Sequence, residues 1–136
     1  MLSNEVQASL KRVAGMLGAA TLALAVLGGG TAPAQTADKP YDDRLLRLSE
    51  ILGAVHYLRE LCGANDGQIW RERMRELVDS EGASALRKAR LSRSFNQGYQ
   101  SYSRTYKVCT PTAQSAIVRF MSEGAQIADG LVKSVP

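Results

Sequence analysis

The apolar positions of this chain fall into four blocks, each with the three-and-four spacing of a helix that buries one face. In the first block Leu45, Leu48, Leu52 and Val55 recur at that spacing, and Ile51, Leu58, Leu61 and Cys62 widen the stripe. This predicts an amphipathic helix of about five turns. Asp42 or Asp43 is the expected N-cap, and Gly63 stands where a left-handed C-terminal cap belongs. Asn65 and Gln68 have capping-box spacing for a short second helix from Gln68 to Asp79. Its inner face is Trp70, Met74, Leu77 and Val78, with Arg71, Arg73 and Arg75 mostly outside.

A turn through Glu81, Gly82 and Ala83 leads to Ser84, the expected N-cap of a long third helix. Leu86, Leu91, Phe95, Gly98, Tyr102 and Cys109 form its inner face. Thr110 and Pro111 end that helix and start a fourth, because Thr caps well and proline suits the first helical position. In the fourth helix Ala113, Ile117, Phe120, Gly124, Ile127 and Leu131 give the cleanest periodicity of the chain. No strand-like alternation, repeat or second-domain linker interrupts the pattern. The expected fold class is all-α, a small four-helix bundle-like domain.

The residues before the first helix have a different layout. Lys11 and Arg12 precede an uncharged apolar run from Val13 to Leu27; Gly28, Gly29 and Gly30 follow, and then Ala32, Pro33 and Ala34. A basic flank, an apolar run and a small-residue site make up a secretory signal. Cleavage after Ala34 is expected, which divides the chain into a signal peptide (1–34), a flexible leader (35–40) and a helical domain (41–136). A retained anchor needs roughly 20 consecutive apolar residues, more than this run supplies. No cysteine follows it for a lipid anchor. The expected location is the periplasm, with no stable membrane span after processing.

Composition agrees with a globular domain, at 45% hydrophobic and 22% charged residues. The 17 basic and 13 acidic residues keep a mild positive balance once Lys11, Arg12 and Glu5 are removed. Export takes nucleic acid away as the natural partner. An envelope protein or an anionic envelope polymer fits the charge instead.

Cys62 and Cys109 are the only cysteines, and an oxidising compartment makes a structural disulfide the leading reading. If consecutive helices alternate up and down, helices one and three run parallel, and both cysteines then lie at the same end. A redox pair would more often have CxxC spacing, and two thiols are too few ligands for a structural zinc.

Leu48 to Ala54 running into His56 to Gly63, then Trp70-Arg71, Ser94-Phe95-Asn96, Gly98-Tyr99 and Cys109, resemble a family of small secreted alphaproteobacterial proteins of unknown function with two well-separated cysteines. The resemblance covers roughly Tyr41 to Glu123. It implies an exported helical protein with a disulfide, and it brings no activity, substrate or catalytic residue.

Candidate chemistry is sparse. His56 is the only histidine; Glu60 lies one turn on, a spacing that also describes a routine helix contact. Glu50 and Glu60 stand about 15 Å apart by helical rise, too far for a glycosidase pair. No nucleophile motif or phosphate-binding glycine loop is present, so no catalytic residue, cofactor or metal site is expected. The third helix has an aromatic and basic region instead. Tyr99 and Tyr106, seven residues apart, fall on nearly one side with Lys107 adjacent, a candidate interaction surface; the competing reading is that these tyrosines seal the bundle ends. Arg87, Lys88, Arg90, Arg93 and Arg104 are expected as a solvated basic face. The functional expectation is a periplasmic binding or accessory protein of the cell envelope that works through contacts. An envelope hydrolase whose carboxylates converge only in the fold, and a purely structural or stress-protective protein, are the alternatives.

Overall fold

The computed structural model describes residues 39–81 and 84–134. It is all-helical, with α1 at Asp42–Leu61, α2 at Ile69–Ser80, α3 at Ala85–Thr105 and α4 at Pro111–Ser134. The signal-like segment and most of the leader lie outside the described residues. Residues 39 and 40 are described, and Lys39 is tied down through its backbone N–H, which donates to Asp42 Oδ2 at 2.9 Å.

α1 is the hub of the domain, and it packs against each of the other three helices. Leu45, Ser49, Val55, His56 and Leu58 are all buried although they point in different directions around the helix. The single-faced helix expected from the sequence is therefore a central one, enclosed on most sides. α1 and α3 run parallel. Asp42 meets Arg87 near their starts, and the Ser94 hydroxyl donates to the Leu46 carbonyl at 2.7 Å. Tyr57 packs on Tyr99 toward their ends. α2 and α4 run antiparallel to α1, as Arg71 meets His56 and Arg47 meets Glu123.

The parallel pair is closely approached because each helix offers a glycine to the other. A Cβ on Gly53 would lie 2.8 Å from the Phe95 carbonyl carbon, and one on Gly98 would lie 2.9 Å from that of Glu50. The core has two parts. Ile51, Ala54, Val55 and Leu58 of α1 pack with Ala113, Ala116 and Phe120 of α4. Leu45 of α1 packs with Met74 of α2 and with Leu91 and Phe95 of α3.

Cys62 and Cys109 form the disulfide, with Cα atoms 4.9 Å apart. Cys62 follows α1 directly, and Cys109 lies in the connection between α3 and α4. The bond joins the ends of the two parallel helices, as up-down alternation requires.

Several local expectations hold. Gly63 has φ of +80° and closes α1 with its N–H on Glu60 O and that of Ala64 on Arg59 O. The Ser84 hydroxyl accepts from Arg87 N–H, and the Thr110 hydroxyl accepts from Ala113 N–H. Others are corrected. Neither Asp42 nor Asp43 is the N-cap of α1; Tyr41 holds that position without a side-chain bond, because the Asp42 carboxylate is engaged by Arg87. The Asn65–Gln68 capping box does not form, and Gln68 precedes α2 with no side-chain cap. α3 stops at Thr105 rather than continuing to Cys109. Leu86 is 56% exposed rather than on the inner face. Arg87, expected on the solvated face, is buried.

Candidate functional site

The backbones of α2 and α4 do not approach each other, and a groove of about 560 Å³ lies between them. Leu48, Ile51, Leu52 and Val55 of α1 form its floor. Trp70, Arg73, Glu76 and Leu77 line the α2 wall, and Phe120, Met121, Gly124, Ala125 and Ala128 line the α4 wall. A shallower extension of about 260 Å³ reaches Tyr41, Leu131 and Val132 and shares Leu48, Leu77, Ser80 and Ala128 with the main groove. The walls are almost wholly apolar. Arg73 and Glu76 are paired with each other at 2.9 Å, so the rim carries little net charge.

The α4 wall has a pattern of its own. Val118, Met121, Ala125, Ala128 and Val132 repeat at three and four along one side of the helix, beside the inner stripe. Val118 is 70% exposed, Met121 41% and Val132 77%. Half of the exposed large hydrophobics among the described residues therefore fall on one line. The signal was present in the sequence as a second heptad offset from the first.

α2 is held mainly from its inner side, where Met74 is its one fully buried residue. Arg71 Nε donates to His56 Nε2 at 3.1 Å, with its guanidinium carbon 5.7 Å from the ring centres of both Phe95 and Tyr99. The acceptor role requires His56 to be neutral on that nitrogen. Burial first, and then the Arg71 charge, push the His56 pKa below its ordinary value, against a smaller opposing pull from Glu60 and Asp66. The expected His56–Glu60 pairing is replaced by this contact with α2. At the start of α2, Asp66 accepts from Trp70 Nε1 at 2.8 Å and from Arg59 Nη2 at 2.9 Å. The Arg59 bond first, and then the Trp70 bond, hold the Asp66 carboxyl down at about 2. Trp70 is thereby fixed at the end of the groove.

The expected Tyr99, Tyr106 and Lys107 surface is not assembled as one ledge. Tyr99 is half-buried and packs edge-on against Tyr57, ring centres 5.3 Å apart. Tyr106 lies beyond the end of α3, so the seven-residue spacing no longer places it over Tyr99. Its ring stacks on Tyr102 at 6.2 Å, and its carbonyl accepts from the Tyr57 hydroxyl. Lys107 is exposed, and its ammonium donates to the Ser103 carbonyl.

A buried ionic cluster lies at the other end of α1. Arg87 donates to Asp42 Oδ2 at 2.9 Å and to Glu81 Oε2 at 2.8 Å. The Tyr41 hydroxyl also reaches Glu81. Contacts spanning 45 residues leave no local sequence signal. Among the described residues no three His, Cys, Asp or Glu side chains group closely enough to hold a metal ion.

A family model described as "Protein of unknown function (DUF2385)" matches residues 40–134, all four helices. The chain belongs to the DUF2385 family. No curated protein matches the chain, and no solved structure does. The family match covers α1 to α4 together, so the groove and the disulfide both lie within the family's domain. No described helix is long and apolar enough to cross a membrane.

Proposed function

We propose that this DUF2385 protein is an exported accessory protein of the cell envelope that works by holding an apolar helical segment in the α2–α4 groove. The observation that carries this reading is the groove itself. It has a floor of buried aliphatic residues, two helical walls and a neutral rim, the setting in which an amphipathic helix lays its apolar face. An open trough suits a helix better than a small ligand, which is usually enclosed over most of its surface. It also suits a protein segment better than an anionic polymer, because the one arginine on its rim is paired with Glu76. The leader with the layout of a signal peptide and the Cys62–Cys109 bond support a periplasmic setting, where disulfides persist.

Trp70 is the only tryptophan and lines the groove, so its emission reports filling directly. Titration of the protein with a synthetic peptide that forms an amphipathic helix should shift Trp70 emission to the blue and saturate. Ala128→Phe, which fills the groove from the α4 wall, should abolish the response while far-ultraviolet circular dichroism stays unchanged. A flat titration, or an equal response from Ala128→Phe, would refute the groove reading. Fractionation of the producing cells should place the protein in the periplasm with Gln35 at its N-terminus; a membrane-bound species that keeps Met1 would refute export with cleavage.

A further inference from the structure

We infer that His56 is an acid-sensitive latch on α2: neutral, it holds that helix against α1 and α3, and once protonated it favours a local opening in which α2 lifts away. The latch acts on one wall of the groove and stands whatever the groove receives. His56 is only 4% exposed, and groups from α1, α2, α3 and the α1–α2 connection surround it. From α3, the Phe95 and Tyr99 rings lie with their centres 6.1 and 5.7 Å from its own. From α2, Arg71 Nε donates to its Nε2 at 3.1 Å. Glu60 of α1 and Asp66 of the connection border a pocket of about 200 Å³ beside it.

Protonation turns Nε2 from an acceptor into a donor. The Arg71 bond is then lost, and two cations face each other beneath α2. The neighbours offer the new charge little relief. Both Asp66 oxygens are already engaged by Arg59 and Trp70, and the Phe95 and Tyr99 rings already hold the Arg71 guanidinium, 5.7 Å from each centre. The pull of Glu60 is outweighed by burial and by the Arg71 charge, which together keep the His56 pKa below its ordinary value. Water is the remaining source of solvation, and it reaches the ring when α2 lifts.

α2 is the element able to lift. Its 12 residues are a length at which an isolated helix is marginal, and Met74 is its one fully buried side chain. α1 and α3 are held together by the backbone contacts at Gly53 and Gly98, and α1 and α4 by the packing of Phe120 and the Arg47–Glu123 pair. Local openings are drawn from the elements with the least buried apolar surface. The sign follows from the proton count. The closed form resists the proton that the open form accepts, so the open population grows as pH falls below about 6.5 and stops growing at the depressed pKa of the closed form. Trp70, Arg73, Glu76 and Leu77 are the α2 wall of the groove, so acid dismantles that wall first.

Hydrogen exchange of the full purified protein tests the latch, read by mass spectrometry at about pH 7.5 and about pH 5.5 with labelling times scaled to the intrinsic rates. α2 should be less protected than α1, α3 and α4 at both values, and its protection should fall by up to about tenfold between them. In His56→Gln the fall should be less than about twofold. His56 is the only histidine, so its ring proton resonance gives a second reading in the unaltered protein, and it should titrate below about 6.5. Protection of α2 equal to that of α1 would show that α2 opens only with the whole fold, and pH-independent protection of α2 would show that the Arg71 side chain alone swings aside. A fall that persists in His56→Gln, or a His56 resonance that titrates at or above its ordinary pKa, would assign the proton to another group. Any of these results would overturn the latch.

Discussion

Gly98→Ala, like Gly53→Ala across the same contact, sets helix propensity against packing. Inside an isolated helix the change would stabilise by about 1 kcal/mol. In this fold the new methyl would lie 2.9 Å from the Glu50 carbonyl carbon and 3.1 Å from the Ala54 nitrogen, with the Glu50 oxygen nearer still. These are backbone atoms of a central helix, so no side chain can swing aside. Relief requires α1 and α3 to separate by more than about 1 Å, a distance set by the Glu50 oxygen, and a gap of that size forfeits about half or more of the dispersion energy of the facing atoms. Overpacking costs reach about 3 kcal/mol, and at that upper end the net loss is about 2 kcal/mol after the propensity gain. For a domain of about 100 residues this lowers the thermal midpoint by at least roughly 8 °C. Gly124→Ala is the control. Its methyl would meet Ile51 Cγ2 at 3.3 Å, a side-chain atom able to yield, so its stability should stay within about 1 kcal/mol of wild type. Thermal unfolding followed by circular dichroism on both variants decides the matter. A Gly98→Ala protein that melts at or above wild type would refute the backbone-contact argument.

Replacing Cys62 or Cys109 with serine opens a loop of 47 residues, worth about 4 kcal/mol in the chain-entropy model; calorimetry should find a large drop in midpoint, and a drop of only a degree or two would contradict it. His56 is neutral in the fold and has a lowered pKa, so the unfolded chain takes up the proton first as pH falls through about 6.5. Stability should therefore decline from that pH down to the depressed folded value. His56→Gln, which keeps an acceptor for Arg71, should flatten that slope, and the Asp66 contribution should be lost only between about 3.8 and about 2. Arg87→Ala leaves the buried Asp42 carboxylate without its cation, while Glu81 keeps Lys39 at 3.7 Å, and should cost about 3 kcal/mol in chemical denaturation; a cost below about 1 kcal/mol would show that the cluster is solvated.

The four helices were legible because each carries an apolar stripe of helical period, and the start of α4 was legible because Thr110-Pro111 can do little else. Local signals also gave the cap at Ser84 and the left-handed turn at Gly63. What failed was whatever depended on competition between partners. Asp42 looks like a cap until Arg87 arrives from 45 residues away, and a buried ion pair then outweighs an N-terminal hydrogen bond. Tyr99 and Tyr106 share a face only if α3 continues, but the Cys62–Cys109 bond and the Tyr57 hydroxyl bond to the Tyr106 carbonyl draw that segment onto α1. The groove was hidden for a related reason. Periodicity says which residues of a helix turn inward, and it does not say whether two helices on the flanks of a third will meet.

The groove has a physical origin in α1. A helix that is apolar on most sides needs neighbours on most sides, and about six cylinders of equal diameter fit around one. This domain supplies three. α3 takes the side where Gly53 and Gly98 allow backbones to touch. α2 is drawn toward it, because Met74 and Arg71 pack on Leu91, Phe95 and Tyr99 as well as on α1. α4 is committed to the opposite flank through Phe120, Ala113 and the Arg47–Glu123 pair. The unfilled part of the ring falls between α2 and α4, over Leu48, Leu52 and Val55. A self-contained domain could lower its free energy by making Val132, Met121 or Val118 polar, since exposed apolar surface stabilises nothing in the monomer. An unfilled ring lined by these residues fits a domain whose missing neighbour comes from outside the chain.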